Sequence, residues 1–305
     1  MAGVLGAQGF SGALMGCRER EGTYAYIADT QCIWLDTGAG YLDRSASGDQ
    51  FGADQTSWWL GGGVQLALSE TLHLGLGGRY ENISQNIHDN ASNDGWWGHG
   101  GASLSYNPGP WLLAGAVSGG GGRVDTKRDL SADGYDGVAT GEQDLSYLHG
   151  KLRAGYLIDY GNWYLKPLVD VDATVMAFGG VDEDGGDGAA LRIGSTDQTV
   201  FSATPRLEIG GQGEMKNGAY VRPYAQLGAA IYANTDFSLE ARFEDETLGI
   251  PSFTTVTDLD TVLADVSLGL DVLTEEGLNL RVSYEGLFGE TTQSHAGTLR
   301  AEWRF

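Results

Sequence analysis

The sequence predicts an all-β fold, a twelve-stranded antiparallel transmembrane β-barrel behind a short N-terminal lead-in. Three observations carry this reading. Segments of about ten residues alternate between apolar and polar side chains, as a strand does with one face in an apolar medium and the other in water. Short turns alternate with long polar links without exception, an asymmetry that a two-sided membrane produces and a soluble sandwich does not. The chain then closes on Gly297, Leu299, Ala301, Trp303 and Phe305, interleaved with Thr298, Arg300, Glu302 and Arg304. An aromatic at the end of a strand suits the interfacial girdle of such a barrel.

Composition narrows the alternatives. A chain of 305 residues fits one large domain or two small ones. Lys and Arg number 18 against 41 Asp and Glu, a net charge of −23. That balance lacks the basic footprint of a nucleic-acid binder and opposes electrostatic attachment to an anionic membrane surface. No run reaches the ~18 apolar residues of a transmembrane helix, a limit that does not touch barrels. Two cysteines, Cys17 and Cys32, are too few for metal-ligand arithmetic. They fit either one disulfide, which needs an oxidising compartment, or two buried thiols. We expect the disulfide.

In chain order, residues 1–30 form the lead-in, with a short helix read at 9–15, and residues 31–305 form the barrel. The opening Met1-Ala2-Gly3-Val4 has no basic region and is not read as a signal peptide. Because such a barrel must be exported, we expect the natural start to lie upstream. Strands are expected at 32–42, 58–68, 72–80, 96–106, 111–117 and 148–158, then 165–175, 203–209, 221–231, 262–272, 278–285 and 297–305. The runs at 32–42 and 111–117 alternate poorly, so their faces stay unassigned. Elsewhere the charged positions share one face and line the pore: Lys151, Arg153, Lys166, Asp170, Asp172, Arg206, Glu208, Arg222, Arg281, Glu285, Arg300 and Glu302. Such a set hydrates a lumen or holds a plug through charge pairs.

Short turns fall at 69–71, 107–109, 160–162, 212–218 and 274–277. Longer links run over 44–56, 82–95, 119–143, 178–198 and 233–258, with a brief one at 289–293. Unpaired backbone in hydrocarbon costs several kcal/mol, so the sheet must close, first strand against last. Pro167, Pro205 and Pro223 fall inside strands, where each removes a ladder donor and marks a bulge or a weak rung.

The stretch from Leu278 to Phe305, LNLRVSYEGLFGETTQSHAGTLRAEWRF, resembles the last hairpin of the autotransporter β-barrel domain, the translocator of type V secretion. Tyr164-Leu165-Lys166-Pro167, Leu191 and the run Thr199 to Gly210 are similar to the central strands of that family. Cys17, Gly22 and Gln31-Cys32-Ile33-Trp34 resemble the segment ahead of the first strand in one branch. The resemblance implies a twelve-stranded pore in the outer membrane of a Gram-negative bacterium, traversed by a segment leading to an N-terminal passenger. It also implies that the barrel-assembly machinery reads the last strand through Gly297, Leu299, Ala301, Trp303 and Phe305. Further expectations are periplasmic termini, outward long loops, contact with outer-membrane lipid and a single copy of the chain. Some members release the passenger by cyclising an asparagine in the linker; here no Asn precedes Asn82.

No catalytic, metal or cofactor site is read. The histidines His73, His88, His99, His149 and His295 fit no zinc pattern. The acidic stretch 181–188 lacks the spacing of an EF-hand, and Gly119 to Gly122 lacks the Lys-Ser/Thr of a phosphate loop and reads as flexible connection. The competing readings are a passive porin or adhesin and an outer-membrane hydrolase. The latter needs a Ser–His pair, and Ser146 and His149, three residues apart, fall on opposite faces of a strand.

Overall fold

A computed structural model describes residues 1–17, 31–48, 50–88, 91–130, 137–245 and 249–305. The expected features at 18–30, including Gly22 of the resemblance, lie outside the described residues. A helix, α1 (Ala2–Leu14), precedes the barrel strands β1 (Cys32–Arg44), β2 (Ala53–Ala67), β3 (Leu72–Ile87) and β4 (Ala91–Tyr106). There follow β5 (Trp111–Asp129), β6 (Val138–Tyr156), β7 (Trp163–Phe178) and β8 (Thr196–Gly211). The ring ends with β9 (Tyr220–Ala233), β10 (Val262–Leu273), β11 (Leu278–Phe288) and β12 (Thr292–Arg304). Each strand pairs antiparallel with its sequence neighbours, and β1 pairs β12 from Cys32↔Arg304 to Arg44↔Thr292. The sheet therefore has no open edge, as hydrocarbon demands.

The alternation read from the sequence is the alternation observed. On β12, Leu299 and Trp303 are 51% and 59% exposed, while Arg300 and Glu302 between them are 4% and 2% exposed. The two strands whose faces the sequence left unassigned behave likewise. Cys32, Trp34 and Asp36 of β1 point into the lumen, as do Leu112, Ala116 and Ser118 of β5; Ile33, Leu35, Trp111 and Val117 point out. Aromatic pairs mark both rims of the outer face. At the short-turn end Trp111 meets Tyr156 at 4.9 Å and Tyr160 stacks on Trp163 at 4.2 Å. Towards the long-loop end Trp58, Tyr80 and Trp96 follow one another at 5.6 and 6.4 Å.

Three expectations are corrected, and one left between two alternatives is resolved. The helix covers Ala2–Leu14 rather than 9–15. With glycine at 3, 6, 9 and 12 its intrinsic propensity is poor, so the helix is stabilised by packing, not by its own composition. Several strands also run further towards the long loops than their alternation suggested, most of all the hairpin of β5 and β6, which leaves only 130–137 between them. Beyond the apolar layer both faces of a strand meet water, so backbone pairing continues where the hydrophobic period stops. Gly119 to Gly122 thus belong to β5, with Gly119 paired to Gly100 and Gly121 to Gly98. Finally, the prolines make weak rungs without bulges. Pairing skips Pro205 between β8 and β9, and skips Pro167 between β6 and β7, yet resumes in the same register. Pro223 does the same between β8 and β9.

Above the long-loop end a separate four-stranded sheet forms from 181–182, Leu191–Ile193, Asp236–Phe243 and Phe253–Asp258.

Candidate functional site: a helix fastened inside a charged pore

Helix α1 lies in the lumen against β3 to β7. Val4, Ala7, Phe10 and Leu14 recur at helical spacing, so one face of the helix is apolar and fully buried. Val4 and Ala7 pack with Trp97, Tyr147 and Met176, and Phe10 and Leu14 with Trp34 and the two cysteines. Met1 sits at the long-loop end, where it lines one cavity with Ile83, Phe178 and Phe237. The helix thus runs along the pore, its C-terminus at the short-turn end.

Polar contacts fix its depth and rotation. Gln8 donates from Nε2 to Ser202 Oγ at 2.9 Å and accepts at Oε1 from the Tyr232 hydroxyl at 3.1 Å. At the C-terminus the last carbonyls of a helix lack partners within it. Here the barrel wall supplies them. Ser103 Oγ donates to the Leu14 carbonyl at 2.7 Å, and Arg300 donates to the carbonyls of Ala13 at 2.7 Å and Gly16 at 3.0 Å. The Arg300 guanidinium lies 4.3 Å from the centre of the Trp34 ring and also binds Glu302 at 2.8 Å. A cation at this end suits the helix dipole. Just beyond, Cys17 is joined to Cys32 by a disulfide, with Cα atoms 6.3 Å apart.

The sequence-predicted lining residues lie in the lumen and largely pair with one another. Asp170 takes a bidentate pair from Arg153 at 2.6 and 2.7 Å and a third contact from Arg206 at 2.7 Å. Arg206 bridges on to Asp265 at 2.9 Å, and Lys151 binds Asp172 at 2.8 Å. Lys166 binds Glu208 at 2.6 Å, and Glu208 also accepts from the Tyr164 hydroxyl and from Gln226. Arg281 meets Asp271 at 2.6 Å and Glu302 at 3.6 Å, while Arg222 donates to Gln212 at 2.7 Å. Glu285 faces the open part of the lumen. Further members, Asp36, Arg79, Glu81, Asp265 and Asp271, share the inward parity of their strands, the signal by which they are legible.

Because α1 leans on one side, a cavity of about 280 Å3 remains on the other, bordered by Gly6, Gly9, Asp36, Arg79, Arg281 and Glu285. The histidines divide. His73, His99 and His149 are buried in the lumen, His88 pairs with Asp54 at 3.0 Å, and His295 faces outward, bonded to the Tyr284 hydroxyl at 2.7 Å.

Ser146 points away from the lumen, yet His149 does meet a serine, one that sequence spacing did not reveal. Ser11 Oγ lies 2.8 Å from His149 Nδ1 and 2.8 Å from Ser118 Oγ, and His149 Nε2 lies 3.1 Å from Asp172 Oδ1. Ser11 stands 107 positions from Ser118 and 138 from His149, so no local motif announces the contact. Ser11 and His149 are wholly buried between helix and wall. A nucleophile needs room for the carbonyl it attacks, so this chain of bonds fastens the helix. In the acidic stretch 181–188, Glu183 is held by Arg128 at 3.1 Å and by the Leu191 N–H at 2.8 Å.

Comparison with known proteins follows the same lines. The family described as Autotransporter beta-domain matches residues 33–285. The solved translocator domain of autotransporter NalP from Neisseria meningitidis superposes with a TM-score of 0.75 at 14% identity, covering 100% of this chain and 95% of that one. The β-domain of the Bordetella autotransporter BrkA gives 0.64 at 16% identity, over 90% of this chain and 100% of that one. The transport unit of AIDA-I from Escherichia coli gives 0.64 at 11%, over 98% of each. At these identities the likeness speaks for the fold alone. No curated protein sequence matches the chain.

Proposed function

Since the chain belongs to the autotransporter β-domain family, we propose that it is an outer-membrane translocator, anchoring a passenger that precedes α1 and exporting it through the pore. The observation that supports this reading is the course of α1. A helix runs the length of a closed pore, fastened at the short-turn end, with Met1 in the long-loop mouth. A segment preceding Met1 then lies on the side of the long loops. In this reading the long loops face the outside of the cell and the short turns and barrel termini face the periplasm, where a disulfide forms readily. The barrel works as a single copy in lipid, and the assembly machinery reads the last strand through Phe305 and the outward row ending at Trp303.

An open porin fits less well, because α1 fills much of the lumen. Among the described residues, the hydrolase reading has for its candidate the sealed contact of Ser11 with His149, and we read the domain as non-catalytic.

The test places an epitope tag ahead of Met1, behind a cleavable secretion leader, in a Gram-negative host. External protease on intact cells should remove the tag and leave the barrel. A tag reached only after lysis would reverse the orientation and end the export reading.

A further inference from the structure

The outer wall over β4, β5 and β6 differs in charge from the wall beside it. On β7 the outward row from Trp163 to Ala177 carries no charge. On β5 the outward positions Arg123, Asp125 and Lys127 are all charged and exposed. Strand register fixes their height. Trp58, Asn82, Trp96 and Arg123 stand side by side on β2 to β5, so Arg123 lies level with the aromatic girdle at the long-loop end. Its guanidinium bonds Asp144 at 2.9 Å and Glu142 at 3.1 Å, yet the side chain stays 51% exposed. Lys127 stands four residues nearer the loops on the same face, roughly 13 Å away at the rise of a strand. Between them Asp94, Asp125 and Glu142 lie directly opposite one another on three adjacent strands. Like charges so placed are unfavourable on their own. Below Arg123 and Trp96 the wall loses its side chains. Gly98 pairs with Gly121, and Gly78, Gly100 and Gly119 follow in the row beneath. A Cβ placed on Gly100 would meet nothing within 4 Å. Tyr80 and Leu148, both exposed, flank this trough on β3 and β6.

We infer that this face seats a doubly phosphorylated glycolipid of the outer leaflet, with its phosphates on Arg123 and Lys127 and one acyl chain in the trough. The inference rests on the reading above that the long loops face outside the cell. Position and charge select the occupant. Charged groups and bare trough lie on the two sides of the girdle, so what covers them is wet at one end and apolar at the other. Guanidinium and ammonium groups hold phosphate oxygens. The acidic row would repel them, but divalent cations take oxygen ligands from carboxylate and phosphate alike and turn the repulsion into a bridge. Among the described residues no three His, Cys, Asp or Glu are grouped to hold a metal by themselves. The cations are therefore shared with the lipid. A phospholipid with one phosphate cannot reach both Arg123 and Lys127.

The experiment folds the 305-residue chain in detergent with magnesium and titrates it with doubly phosphorylated lipid A, read by native mass spectrometry. Heat-modifiable gel mobility shows that each variant is folded. Lipid A should be retained in preference to its dephosphorylated form and to phosphatidylethanolamine. Arg123→Gln combined with Lys127→Gln should weaken retention about tenfold. Gly100→Leu, which fills the trough, should weaken it several-fold in a folded barrel, as should chelation of the magnesium. Arg192→Gln, at an exposed arginine of the 179–195 link, should leave it unchanged. Equal retention of the dephosphorylated lipid overturns the inference. So does full retention by the double variant, by Gly100→Leu or after chelation. Binding in detergent does not depend on orientation, so these outcomes are distinct from the tag test, which decides the export reading by itself.

Discussion

Arg300, five residues before the end of the chain, donates from Nη1 to the carbonyl oxygen of Ala13 at 2.7 Å, joining the last strand to the end of the lumenal helix. Removing it orphans the carbonyls of Ala13 and Gly16 in a buried site. Arg300→Ala should cost about 1–3 kcal/mol of helix seating. Exchange across Ala2–Leu14 should quicken while the barrel strands hold. Unchanged exchange in the helix would show that Ser103 and the disulfide suffice.

Cys17 and Cys32 close a loop of sequence separation 15. On the chain-entropy account that bond contributes about 3 kcal/mol. The double serine variant should loosen the C-terminal turn of the helix by up to that amount. Thiol titration of the denatured, unreduced protein should find no free sulfhydryl.

Asp170 faces three cations, Arg153, Arg206 and Lys151. Asp170→Ala leaves them buried without their common partner, a loss of about 3–5 kcal/mol. A lower melting temperature of the detergent-extracted barrel is expected. Double substitution with Arg206→Met should recover part of the loss.

Ser11 and His149 give a test of the fastening role. Ser11→Ala strands His149 Nδ1 and should cost about 1–3 kcal/mol in helix seating. The wild-type protein should not be labelled at Ser11 by a fluorophosphonate. Stoichiometric labelling would show an accessible nucleophile and overturn the reading.

Phe305 is 63% exposed and bonds through its N–H to the Gln31 carbonyl at 3.2 Å. One such side chain contributes at most ~1.5–3 kcal/mol to a formed barrel. Its deletion should nonetheless impair insertion far more than Trp163→Ala, which removes another girdle aromatic at the same rim. Surface-exposed barrel in cells, with melting of the folded fraction, separates the cases. Equal insertion would leave Phe305 a girdle residue only.

Strand number and the pairing of first strand with last were legible because each follows from period-two alternation and the ban on open edges; the strict alternation of link lengths was not, since the expected long links 82–95 and 289–293 shrink to 88–90 and 289–291, no longer than the turns 68–71 and 107–110. The inward charges of the C-terminal half were legible for the same reason. Their partners were not. That Asp170 meets both Arg153 and Arg206 depends on the registers of β6, β7 and β8, which alternation leaves free. The extent of α1 was hidden because its glycines argue against a helix and its seat is made by residues on distant strands. The bond of Ser11 to His149 was hidden for the same cause, since it joins positions 138 apart.

The seat of α1 also straddles the ring's closure. Trp34 belongs to β1, Arg300 to β12, and the disulfide ends on Cys32, whose partner across that seam is Arg304. A helix cannot be gripped by both strands until they have met. Occupancy of the bore and completion of the hoop are therefore thermodynamically linked: tension on the helix is borne by the joint, and a joint that parts lets go of its cargo.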